Sequence, residues 1–535
     1  MTGAALPSGT SGEGLLDVDD IQGNILAGFN KDHQTLIALA IQDVPAAKAW
    51  LNRLVPHIAT LKEVRHFNWL FKAKRRRLGH DPFGLVATWA NVALSHGGLA
   101  KLASQSAADG VPDDAFREGM PDRAGILGDM PPVPGEDVSA GWVVGAKNSV
   151  PDILLIVGSD DPDLLERMAT HLCPGSGDLA GAPQVLWREL GATRSDMPGH
   201  EHFGFKDCIS QPAVRGPVSR NPDVYLTERL LQDPADGDVA FAAPGAPLVW
   251  PGQFVYGYPS SDRVTGGPVA PQPLTPPWIR NGSLLVFRRL RQDVAGFHAF
   301  LRAASASLAS TPDFPGLGPD RLGALLVGRW SSGAPVERAP GQDNPALPLD
   351  PLSVNDFLFA NDTPAPAFRP GAGPAQPFAR AAADPLGFVC PRPAHIRKVN
   401  PRDQDSDKGD MFDTLTRRIL RRGIPFGPPL PVPPGGQLPV DDSVERGLHF
   451  LCYQTSIVDQ FELLQTDWAN STENPKPHGN DLIIGQSAAG QREVQLLTAA
   501  GGGQTVQTNR MFVTMTGGGY FFAPGIAALK TLAAP

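Results

Sequence analysis

Four segments of the chain share one pattern: an apolar, β-forming run, then a short polar turn, then apolar residues recurring every three or four positions. They are TLIALAIQDVPAAKAWLNRLV (35–55), DILLIVGSDDPDLLERMATHL (152–172), SLLVFRRLRQDVAGFHAFLRAA (283–304) and LHFLCYQTSIVDQFELLQTDW (448–468). Period two followed by period 3.6 is the signature of a strand feeding a helix. In the second segment Asp161 or Asp163 is placed to cap the helix. Two units fall in each half of the chain. This predicts an α+β protein of two ferredoxin-like domains, each an antiparallel sheet with helices, joined by long loops.

At 535 residues the chain is too long for one core. The expected division is an N-terminal domain over 1–245 (with a flexible tail, 1–16), a Pro/Gly-rich connection over 246–280, and a C-terminal domain over 281–535. Irregular stretches also fall at 331–385 and 425–439. The net charge of −9 argues against a nucleic-acid binder. The four cysteines have no zinc spacing and are too few for a disulfide framework. No signal peptide, twin arginine or membrane-length apolar run is seen, so a cytoplasmic protein without a membrane partner is the default expectation, with export by another route left open.

Chemistry concentrates at 392–422, where nine Lys/Arg meet five Asp. A basic, irregular stretch containing His395 suits an anionic cofactor with a metal centre. Haem is one: imidazole binds iron and guanidinium groups meet propionates. Each residue alone also has a plainer reading. His395 would be a structural histidine, the basic run a solvated face, and Asp207 in GFKDCISQP (204–212) a turn acid.

Taken in order, HFGFKDCISQP (202–212), LVGRWSSGAP (326–335), CPRPAHIRKVNPR (390–402), RRILRRGIPFGP (417–428) and FLCYQTSIVDQFELLQ (450–465) resemble the dye-decolourising peroxidases, in their larger, later-diverged branch. The resemblance implies one haem b per chain, hydrogen peroxide as oxidant, and aromatic reductants such as dyes and phenols oxidised by one-electron steps. His395 would be the proximal iron ligand, Arg402 a propionate contact, Asp207 the distal acid and Arg421 the distal arginine. Asp459 and Glu462 are the candidates for the carboxylate that orients the histidine. Homo-oligomerisation is left open. A haem-binding or haem-iron-releasing protein with weak peroxidase activity is the alternative. One departure stands out: the family motif has glycine after the distal acid, and this chain has Cys208. Either the backbone angle there is ordinary, or Asp207 is displaced.

Overall fold

A computed structural model describes residues 13–175, 183–221, 224–229, 241–363, 378, 381–431, 437–487 and 490–535. Residues 1–12 of the expected tail (1–16), residues 364–377 and residues 432–436 lie outside the described residues; Leu16, at the end of that tail, is buried.

All four strand–helix units are present. Strand β1 (His33–Ala40) leads to helix α1 (Val44–Leu54), and helix α2 (Leu61–Leu78) follows before β2 (Thr88–Leu94). Strand β3 (Ile153–Ser159) leads to α3 (Pro162–Leu172), and β4 is Gln184–Ala192. In the second half β5 (Ser283–Gln292) leads to α4 (Val294–Ala309). Strand β6 (Ile424–Phe426) precedes β7 (Gly447–Gln454), which runs into a wide π-helical segment over 457–469 before β8 (Val513–Ala523). Each crossover helix begins with a side-chain cap. Asp43, Asp161 and Asp293 accept from the backbone N–H groups of Ala46, Leu164 and Gly296, and Ser456 from that of Asp459. These oxygens satisfy N–H groups that a helix start leaves open.

The first half has strand order β2-β3-β1-β4 and the second β8-β5-β7-β6, all antiparallel. Both are ferredoxin-like orders, so the α+β class stands. The two sheets also meet edge to edge. Leu94 of β2 pairs with Phe522 of β8, and Gly191 of β4 pairs with Phe426 of β6, closing one barrel. Gly191 has to be small: a Cβ there would lie 2.5 Å from Ile424 Cγ2. Each joint is a single residue pair, enough to turn the two sheets into one ring.

Burial on both faces explains why the strands read as continuous apolar runs. Leu36, Ile156, Leu285, Phe287 and Tyr453 join an inner cluster drawn from both halves. Their neighbours Ile37, Leu155, Leu284, Val286 and Cys452 pack instead with helix residues such as Trp50, Leu51 and Leu165. Leu529 and Leu532 of the C-terminal helix enter that same outer cluster. Truncating a fully buried residue such as Ile37 to alanine costs about 2–5 kcal/mol.

Candidate active site

A cavity of about 290 Å³ opens against the outer face of the second sheet. Leu290, Leu448, Phe450 and Met515 form its strand-borne floor, and Ile396, Phe461, Leu464 and Ile484 add apolar walls. Four sequence-predicted residues, His395, Asp207, Arg421 and Arg402, line this one space although they lie far apart in the chain.

The segment carrying Asp207 follows β4 but is fastened to the second half. Phe203 packs on Phe297 of α4 with ring centroids 4.4 Å apart. The half-buried Glu201 carboxylate accepts the backbone N–H groups of both Phe203 and Phe205 at 2.8 Å. Asp207 itself donates its backbone N–H to Gly199 O, and Lys206 to Ser331 O. The loop therefore delivers its acid to a fixed position.

There Arg421 Nη1 donates to Asp207 Oδ1 at 2.8 Å. Arg421 is held further: Nη2 donates to Ser210 O at 3.0 Å, and its backbone exchanges hydrogen bonds with the Gln211 amide, N–H to Oε1 at 3.3 Å and Nε2 to the carbonyl at 3.1 Å. Its backbone is registered by pairing with Cys452 on β7. Burial raises the Asp207 pKa, but the Arg421 charge and the Cys208 N–H outweigh it, so the carboxyl ionises more readily than usual. The guanidinium is correspondingly held charged against its own burial.

Neither sequence expectation for Cys208 holds. Its φ is +59°, in the left-handed region where glycine is at ease, and Asp207 still meets Arg421. Cysteine keeps the glycine-like backbone at a steric cost of about 1–2 kcal/mol. The negative charge of Asp207, with burial, pushes the Cys208 thiol up to about 12, so it stays protonated at neutral pH.

His395 starts a short helix, His395–Lys398, tied down on two sides. Arg397 is buried and donates to Asp384, Gln404 and Cys390 O, while Lys398 Nζ donates to Gly479 O at 2.7 Å. His395 Nδ1 lies 2.7 Å from Asp481 Oδ2. Asp481 is fully buried, and its other oxygen accepts the backbone N–H groups of Ile483 and Ile484. Burial disfavours the charged imidazole and the Asp481 carboxylate more than offsets it, so the ring's pKa is raised. With Nδ1 committed, Nε2 is the nitrogen left for a ligand.

Asp481, not Asp459 or Glu462, is the carboxylate beside His395. Asp459 is half-exposed and bridges Arg263 and Arg417. Glu462 is buried but committed elsewhere: it takes two bonds from Arg123 and one from Tyr520 Oη at 2.8 Å. Asp481 sits at the head of an apolar DLII run, a signal that an acid flanks a buried turn but not which group it meets.

The cationic wall also differs in detail from expectation. Arg402 lies against the ring of Phe357, 3.6 Å from its centroid, and donates to Asn355 O and Phe357 O. It adopts φ +55°. Arg418, one of the basic run, has no salt bridge among the described residues, and its buried Nε has no partner. Burial, with Arg402 nearby, lowers its pKa to about 9. Arg288, held on one side by Asp129 at 2.6 Å, leaves Nε and Nη1 without partners. Buried guanidinium nitrogens without acceptors, beside apolar walls and one free imidazole nitrogen, fit a flat apolar cofactor with anionic arms and a metal.

Residues 20–177 match the family model described as the DyP dimeric alpha+beta barrel domain. The chain is 32% identical over 547 residues to a dye-decolorizing peroxidase of Mycena epipterygia, covering 97% of this chain and 87% of that protein. It is 30% identical to dye-decolorizing peroxidase msp1 of Mycetinis scorodonius, covering 99% and 89%. Among solved structures, an ancestral D-type dye decolorizing peroxidase superposes with a TM-score of 0.74 at 31% identity, covering 98% of this chain and all of that one. A mutant of the dye-decolorizing peroxidase from Pleurotus ostreatus gives 0.76 at 29% identity, with the same coverage. The barrel, the shared cavity and this full-length likeness agree: the chain belongs to the dye-decolourising peroxidase family.

Proposed function

We propose that this peroxidase binds one haem b per chain through His395, with Asp207 and Arg421 acting on hydrogen peroxide and aromatic compounds serving as one-electron reductants. The observation that carries the reading is that the Asp207–Arg421 pair and the His395–Asp481 pair line the same cavity. Held there, a haem would supply redox-active iron, able to exchange two electrons with peroxide and single electrons with reductants.

The chain's own residues do the rest. His395 offers Nε2 to the metal, and Asp481 fixes the tautomer by accepting from Nδ1. Asp207 is ionised at working pH, so it can take a proton. Its Oδ1 is occupied by Arg421 and by the Cys208 N–H, which leaves Oδ2 as the oxygen that receives the proton of peroxide and returns it to the departing oxygen. Arg421 is already positioned and charged before negative charge develops on that leaving oxygen. Arg418 and Arg402 supply positive charge for the two propionates. The apolar floor and walls keep bulk water from the reacting atoms.

The reading is tested by reconstituting the purified protein with haem and following its visible spectrum and the peroxide-dependent bleaching of an anthraquinone dye. The expected result is a ferric Soret band, dye oxidation, and loss of bound haem in a folded His395→Ala variant. A His395→Ala protein that keeps haem with an unchanged spectrum would refute the ligand assignment.

A further inference from the structure

Helix α2 is built to leave the barrel. It begins in a capping box in which Thr60 Oγ1 accepts the Glu63 N–H and Glu63 reaches back to the Thr60 N–H. Only Leu61 and Val64 are buried. Phe67 sits edge-on to Trp89 at 5.1 Å and beneath the Lys31 ammonium at 4.0 Å, and Asn68 Nδ2 donates to Gly28 O at 3.2 Å. Beyond Phe71 every helical residue is exposed. The helix stops at Gly79, whose φ of +76° makes a left-handed cap, and the chain returns through 80–87 to β2.

Beyond Phe71 the arm has an unusual surface, and among the described residues its ion pair with the body there is Arg76–Glu228. Helical spacing puts His66, Trp69, Leu70, Ala73, Arg76 and Arg77 on the side opposite Val64, Phe67 and Phe71. Trp69 is 63% exposed, Leu78 50%, and Phe83, at the tip, fully exposed. Apolar groups gathered on one projection mark an interaction site more often than scattered ones do.

The charge is as distinctive. Between 61 and 78 there are seven Lys/Arg and one Glu, in a chain whose net charge is −9. Arg75 and Arg76 have only exposed acidic partners, Asp81 and Glu228, and such pairs contribute little. Lys72, Lys74 and Arg77 have no salt bridge among the described residues. Pairing the arm with the arm of a second copy would bring like charges together. An anionic surface that also accepts apolar side chains relieves both problems at once.

We propose that the arm over 61–87 docks this protein end-on against bilayers containing anionic lipids, with Leu78 and Phe83 at its outer end entering the interfacial layer and the basic run meeting the headgroup phosphates. The contact is peripheral: among the described residues no helix is long and apolar enough to cross a membrane. The proposal departs from the expectation of no membrane partner, which rested on the lack of a membrane-length apolar run.

The test is cosedimentation of the haem-loaded protein with phosphatidylglycerol–phosphatidylcholine vesicles and with phosphatidylcholine vesicles, at low and high salt. Binding to the anionic vesicles should be at least about tenfold stronger and should fall as salt rises. Leu78→Ser with Phe83→Ser should weaken it, as should Arg75→Gln, Arg76→Gln and Arg77→Gln together. Dye oxidation in solution should be unchanged in both variants, which shows that they are folded. Absence of binding to anionic vesicles would overturn the proposal, and so would equal binding by wild type and variants. Sedimentation without vesicles that the same substitutions abolish would overturn it in favour of self-association.

Discussion

Arg421 and Asp207, 214 positions apart, meet at 2.8 Å, and the guanidinium helps keep the half-buried carboxyl ionised. The sign of a pH effect follows. Burial alone would raise the Asp207 pKa, and Arg421 reverses this. Peroxide activation should therefore persist at acid pH and fail only as Asp207 protonates below the usual carboxylate range. Replacing Arg421 by leucine removes the opposing charge, so the acid limb of the pH–rate profile for the peroxide step should move to higher pH. The same variant should lose about 10²–10³-fold in rate, because leaving-group charge is no longer stabilised. A slower enzyme with an unmoved acid limb would show that Arg421 does not set the ionisation of Asp207.

Cys208 carries a glycine's backbone angle. Cys208→Gly should remove the steric cost, set against the greater freedom glycine has in the unfolded chain, for a net gain of about 0.5–1 kcal/mol. Urea titration of the haem-loaded protein would read this as a higher midpoint. Asp207 also keeps the thiol protonated, so Cys208 should react slowly with a disulfide reagent at neutral pH and faster in Asp207→Asn. Comparison with Cys208→Ser isolates its signal from that of Cys173.

Asp481 is expected to act through His395. Asp481→Asn keeps the shape but removes the charge behind the imidazole. Haem transfer to an acceptor apoprotein should become about 10–100-fold faster. The ferric/ferrous midpoint potential should rise, because a less basic imidazole donates less electron density. An unchanged potential would reduce Asp481 to a packing role. The equivalent substitutions of Asp459 and Glu462, which touch other arginines, should leave the potential where it is.

How far the sequence reveals this site depends on the range of each interaction. The four strand–helix units are local periodicities, and they are legible as such. His395, Arg421 and Asp207 are legible because short motifs surround them. Asp481 is not, because it reaches His395 from 86 residues away and its partner is chosen by the tertiary fold. Asp459 and Glu462 are candidates because the resemblance places the orienting carboxylate in the YQTSIVDQFE segment, yet Arg263 and Arg417 hold the first and Arg123 the second. Arg418 cannot be told from eight neighbouring cations in the sequence; its buried Nε, without a partner among the described residues, distinguishes it in the fold. Barrel closure rests on Leu94–Phe522 and Gly191–Phe426, pairings that no local pattern announces.

The central claim is that Asp207 moves the proton of peroxide, and stopped-flow absorbance at the Soret band after mixing with hydrogen peroxide tests it most directly. Wild type and Asp207→Asn should bind the same amount of haem with similar ferric spectra. The variant should react about 10²–10⁴-fold more slowly, with little remaining dependence on pH across the acid range. An Asp207→Asn protein reacting at the wild-type rate would contradict the account.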